Sequence, residues 1–175
     1  MAHADFKAKI RVVPDFPRRG ILFYDITTLL LDAAAFDAAL AAMTAPFVGR
    51  GIQKVVAVES RGFIFGTPMA LRLGAGFVPV RKPGKLPAAC LEEKYALEYG
   101  TGVLSIHQDA ITAGERVLIV DDLLATGGTA AATASLVSQL GGDIVALSCL
   151  IELSFLKGRA RLNGIPISAL LTYDS

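Results

Sequence analysis

Apolar residues along this chain recur in two patterns. Short apolar runs at Lys54 to Val58, Phe77 to Val80, 116–120 and 144–152 have the length of strands covered on both faces. Between them, apolar residues fall three and four apart. Ala33 to Val48 puts Phe36, Leu40, Met43 and Phe47 at helical spacing, with Asp32 placed to cap the start and Pro46 weakening the last turn. Gly62 to Leu73 predicts a second helix with Gly74 near its C-terminus, and 129–140 a third, closed by Gly141-Gly142. A basic helical turn over Leu156 to Leu162 and a last strand over Ile167 to Tyr173 complete the pattern. Alternating strands and helices predict an α/β fold, a mainly parallel central sheet with helices on both faces.

Two segments break this rhythm. Pro14-Asp15-Phe16-Pro17 and Gly20 punctuate the first thirty residues, which predicts an extended N-terminal arm, 1–31, in place of a core element. Residues 82–114 are polar. Pro83, Gly84 and Pro87 lead there into two mixed segments around Gly100, the pattern of an inserted hairpin or flexible flap over 83–110, free to move when no ligand is bound. No internal repeat stands out, and 175 residues suit a single domain, 1–175.

The chemistry concentrates in Val117-Leu-Ile-Val-Asp121-Asp122-Leu-Leu-Ala125-Thr126-Gly127-Gly128-Thr129. A buried strand ends in two adjacent carboxylates, then a loop of small residues opens a helix. Ligands of open α/β sheets sit outside the carboxyl ends of the strands. A Gly-rich turn into a helix offers free backbone N–H groups and the positive end of the helix dipole, which suits phosphate. The two Asp would repel that phosphate, so they are placed to accept from hydroxyls of the same ligand or to face a cation. Phosphate, vicinal hydroxyls and a metal together describe a ribose phosphate. The chain has no Gly-x4-Gly-Lys-Ser/Thr loop, and Gly127-Gly128 does not make a dinucleotide fingerprint.

Composition narrows the field further. A net charge of +1 gives no general pull toward nucleic acid. Apolar residues make up 53% of the chain, yet no uncharged run approaches the ~18 residues of a membrane span. The excess is expected to cover both sheet faces and a subunit interface. Met1 to Asp5 have neither the basic nor the apolar region of a secretory leader, which points to the cytoplasm. Cys90 and Cys149 are far apart, and His3 and His107 are isolated, so none of them predicts a metal or redox centre.

The acidic strand end and Ala-Thr-Gly-Gly-Thr loop resemble the phosphoribosyl pyrophosphate (PRPP) signature of the type I phosphoribosyltransferases, in order and without gaps. The resemblance implies that Ala125, Thr126, Gly127, Gly128 and Thr129 hold the 5′-phosphate, and that Asp121 and Asp122 meet the ribose hydroxyls. Glu59-Ser60-Arg61-Gly62-Phe63 taken alone reads as a helix start, with Ser60 capping and Arg61 solvated. In the family a pyrophosphate loop stands here, often with a cis peptide that does not involve proline. Arg81-Lys82-Pro83-Gly84-Lys85-Leu86-Pro87 gathers three cations at another carboxyl-end loop. Forked Arg and mobile Lys donors suit a pyrophosphate leaving group.

With Phe16 to Ile26, the string Leu97-Glu98-Tyr99-Gly100 and the segment Glu152 to Arg159, the match extends from Phe16 to Tyr173 and is similar to the adenine phosphoribosyltransferases. This implies purine salvage, with adenine and PRPP giving AMP and pyrophosphate. Glu98 would be the acid/base and Tyr99 its support in the flap. Glu59, Ser60, Arg61, Arg81, Lys82 and Lys85 would surround the pyrophosphate. Leu22, Phe23 and Tyr24 would hold adenine, Phe23 by stacking and its neighbours through their backbone. Relatives often carry Arg where Tyr24 stands. Mg2+ would be carried by the pyrophosphate and ribose oxygens, with no direct protein ligand, and the enzyme would be a cytoplasmic homodimer with no membrane or nucleic-acid partner. A 6-oxopurine transferase is the alternative within the class. A non-catalytic PRPP-sensing regulator is the alternative outside it, and it would need a basic surface or an added nucleic-acid-binding segment.

Overall fold

The computed structural model describes residues 6–96 and 101–175. They divide into two compact units, with the boundary between Ala42 and Met43.

The first unit is more structured than the expected arm. Strands β1 (Arg11–Pro14) and β2 (Leu22–Asp25) pair antiparallel, with Pro14 opposite Leu22. The turn between them contains a cis Phe16–Pro17 bond and is closed by Gly20 N–H donating to Asp15 Oδ1 at 2.6 Å. A short helix α1 (Thr27–Leu30) follows, with Thr27 N–H donating to Asp25 Oδ1. Tyr24, Ile26 and Leu29 are buried, and they make this segment a small core instead of an extended arm. The physical reason is that turn residues break helices without preventing hairpins. Helix α2 (Ala33–Thr44) begins where Asp32 Oδ1 accepts from Ala35 N–H, and Lys9 holds the same carboxylate at 2.8 Å. At Pro46 the helix tightens into a 3-10 turn over Ala45–Phe47.

The second unit is built on five parallel strands in the order β4-β3-β7-β8-β9. They are β3 (Lys54–Val58), β4 (Gly76–Val80), β7 (Arg116–Leu124), β8 (Asp143–Leu153) and β9 (Ile167–Tyr173). Helix α3 (Arg61–Leu73) links β3 to β4, and helix α4 (Gly128–Gln139) links β7 to β8. The two crossovers run outward in opposite directions from the β3–β7 pair. Right-handed connections therefore put the two helices on opposite faces. Helix α3 buries a stripe of Gly62, Phe65, Gly66, Met69 and Ala70, at the spacing of one helix face. On the α4 face, Val56, Val58, Val117, Ile119, Leu136 and Val137 form one core cluster.

Strands β5 (Cys90–Ala96) and β6 (Thr101–His107) form the expected hairpin, with Ala96 opposite Thr101. Its body is not a free flap. Leu104 and Ile106 join the α4-side core, and Glu93 Oε2 accepts from Ser135 Oγ at 3.0 Å and Gln139 Nε2 at 2.7 Å on α4. Arg81 and Ser105 exchange both backbone hydrogen bonds, which ties β6 to the end of β4. Leu104 and Ile106 stand two residues apart on β6, so both side chains fall on the same face and fasten the strand to the core.

Candidate active site

The β3–β7 pair is where the strand order reverses, and both strands deliver chemistry at their carboxyl ends. A cavity of about 290 Å³ opens there, lined by Glu59, Ser60 and Arg61 from one loop and by Asp121 through Ala130 from the other. The structure thus brings together the Ala125–Thr129 loop, the acidic pair and the start of α3.

Strand β7 runs beyond Val120 to Leu124, because β8 continues to pair with it at Asp121, Leu123 and Leu124. The acidic pair is therefore held in regular strand backbone. Asp121 Oδ1 accepts from Asp122 N–H at 2.9 Å, and its carboxylate lies against the first turn of α3 at Gly62. Burial, and then the charge of Asp122, push the Asp121 carboxyl well above the usual carboxylate range. Asp122 is buried, and its Oδ2 lies 3.0 Å from Arg61 Nε without the alignment of a hydrogen bond. A buried carboxylate oxygen lacking a hydrogen bond is costly and suited to a ligand donor.

The loop after β7 leads into α4 through Gly127, whose φ of +81° only glycine adopts without strain. Helix α4 has no side-chain cap and no acidic residue in its first turn. Its leading N–H groups and dipole remain available to an anion at the cavity wall.

The loop after β3 contains a cis Glu59–Ser60 peptide bond. Ser60 stands at the N-cap position but makes no capping bond, and Arg61 faces Asp122, so the plain helix-start reading does not describe this turn. Glu59 accepts from Arg81 Nε at 2.7 Å and from Lys82 N–H at 3.1 Å. Burial alone would raise the Glu59 carboxyl, but these bonds and the charges of Arg81 and Lys85 outweigh it and hold the group low. Arg81 also donates to the Lys85 carbonyl at 2.9 Å, which folds the basic loop back on itself. Lys82 and Lys85 are exposed. Glu59 thus organises the cations.

In the first unit, Phe23 meets Phe16 edge-on at 5.0 Å between ring centroids, and Leu22 is half exposed. Tyr24 is buried as a whole residue in this unit. Glu98 and Tyr99 lie outside the described residues. Among the described residues no group of three or more His, Cys, Asp or Glu could hold a metal, and no helix is long and apolar enough to cross a membrane.

The sequence reading attached no role to Gly158. This residue is buried, and its carbonyl lies where a Cβ on Gly127 would fall. A Cβ on Gly158 would in turn meet the Ala125 carbonyl. The segment Lys157-Gly158-Arg159 is legible only as a string, and nothing in a string shows that two glycines touch.

The model of the phosphoribosyl transferase domain matches residues 30–162. An adenine phosphoribosyltransferase of Myxococcus xanthus is 55% identical over 170 residues, covering 97% of this chain and 92% of that one. The chain belongs to the adenine phosphoribosyltransferase family. Two solved structures of adenine phosphoribosyltransferases share its fold. That from Thermoanaerobacter pseudethanolicus superposes with a TM-score of 0.95 at 52% identity, covering 98% of this chain and all of the other. That from Saccharomyces cerevisiae, complexed with adenine and an imino-altritol bisphosphate, gives 0.92 at 42% identity, covering 97% and 98%. The parallel sheet shared with this family places the acidic pair and the Ala125–Thr129 loop at one switch point.

Proposed function

We propose that this chain is the salvage enzyme that transfers the 5-phosphoribosyl group of PRPP to adenine, giving AMP and pyrophosphate. The observation that carries the reading is the meeting, in one cavity, of the uncapped N-terminus of α4 with two buried-end carboxylates and Arg61. One molecule carrying a phosphate and vicinal hydroxyls satisfies all three.

The backbone of Ala125 to Thr129 receives the 5′-phosphate. Asp121 and Asp122 accept from the ribose hydroxyls, and this orients the anomeric carbon. Arg61, Arg81, Lys82 and Lys85 neutralise the departing pyrophosphate, Arg81 being aimed by Glu59. Displacement at such a carbon passes through an oxocarbenium-like state, which nearby carboxylates favour. The base is received at Leu22 to Tyr24, with Phe23 as the stacking face. Glu98 manages the purine proton near N7, and Tyr99 supports it.

The acidic pair alone offers too few ligands to hold Mg2+, but it fits a hydrated ion delivered on PRPP, since Mg2+ keeps waters and shares substrate oxygens. Bound there, the ion would screen the pyrophosphate charge. We also assign the enzyme to the cytoplasm as a homodimer.

The test is product formation with PRPP and each purine in turn. AMP from adenine, with at most traces of nucleotide from hypoxanthine or guanine, supports the proposal. Preferential use of a 6-oxopurine, or no transfer at all, overturns it.

A further inference from the structure

The segment from Glu152 to Arg159 takes no part in the chemistry above, yet it is built with unusual care. Glu152 is buried at the end of β8, directly beside Leu124, the last strand residue before the phosphate loop. Arg159 grips it with a two-pronged contact, Nε to Oε1 and a terminal nitrogen to Oε2 at 2.6 Å. A buried carboxylate held by a guanidinium fork fixes geometry as well as charge. Between the two residues the chain turns back through Lys157 at φ +55°. That turn seats the backbone of Gly158 against Ala125 and Gly127, so closely that neither glycine has room for a Cβ. The loop read above as the phosphate holder is therefore backed by a second piece of main chain, which the Glu152–Arg159 ion pair ties to the end of β8.

We propose that Glu152 and Arg159 are a positioning pair for the phosphate loop, fixing the Gly158 turn on which the N–H groups of Ala125 to Thr129 are aligned. The inference rests on that loop being the 5′-phosphate site. It predicts a selective effect: phosphate-bearing ribose ligands lose affinity, while pyrophosphate, held by a different loop, does not.

Removing Arg159 alone would strand a buried charge, so the test uses Glu152→Met/Arg159→Met together, with Arg159→Lys as the conservative variant. Binding of AMP, ribose 5-phosphate and pyrophosphate is measured by calorimetry, and folding by thermal midpoint. The folded double variant should bind AMP and ribose 5-phosphate at least ~10-fold more weakly and pyrophosphate within ~2-fold of wild type. Arg159→Lys keeps the charge and loses the fork, so it should fall between the two. Should the double variant fail to fold, Arg159→Lys carries the same comparison. AMP affinity within ~2-fold of wild type in the double variant, or unchanged in Arg159→Lys, overturns the inference, as does equal weakening of AMP and pyrophosphate. A wild type that binds pyrophosphate but neither ribose ligand overturns the phosphate-loop reading itself, and this inference with it.

Discussion

Gly127→Ala should separate binding from folding at the phosphate loop. The residue sits at φ +81°, and an added Cβ would fall on the Gly158 carbonyl and lie 3.1 Å from its Cα and carbonyl carbon. The left-handed conformation costs alanine about 1–2 kcal/mol. The contact is backbone against backbone, so no side chain can swing away and the loop itself must shift. A shift that breaks one charge-assisted bond to phosphate forfeits about 1.5–3 kcal/mol. AMP affinity should then fall roughly 10–100-fold. The thermal midpoint should drop by only about 2–8 °C. Gly164→Ala is the matched control, since φ is +84° there but no heavy atom lies within 4 Å of the added carbon. It should carry a similar loss of stability and leave AMP binding unchanged. Calorimetric titration with AMP, alongside thermal melts, reads both quantities. Wild-type AMP affinity in a folded Gly127→Ala protein would refute the reasoning.

Three further outcomes follow from the same geometry. Asp121 binds its proton more tightly in the fold than in the unfolded chain, so its stabilising contribution is complete at low pH and is lost as pH rises through the raised value. Asp121→Asn should therefore melt at or above the wild-type temperature at neutral pH, with that difference narrowing toward about pH 4, and should turn over more slowly; a less stable but fully active variant would make the residue structural. Glu98→Gln should lower turnover on adenine by at least ~10²-fold with PRPP binding nearly intact, and steady-state rates near wild type would remove Glu98 from the mechanism. Light scattering at micromolar concentration should give the mass of a dimer, and a fully active monomer would contradict that assembly.

What the sequence made legible was whatever depends on period and local chemistry. The β3, α3 and β9 boundaries follow from apolar spacing, and Asp32 caps α2 because capping needs only a short side chain in the right place. Long-range contacts were hidden. The flap looked free because its polar residues dominate the average, while Leu104 and Ile106 on alternate positions pin it to the core. Glu59 was placed with the pyrophosphate from its neighbours in sequence, and only the fold shows it gripping Arg81, 22 residues away. Gly158 was invisible for the same reason, since two backbones in contact leave no compositional trace.

The most direct test of the central claim is a crystal structure with AMP bound. The account predicts the 5′-phosphate on the N–H groups of Ala125 to Thr129 and the ribose hydroxyls on Asp121 and Asp122. A phosphate bound instead by the Arg81 to Lys85 loop, or a ribose turned away from the acidic pair, would contradict it.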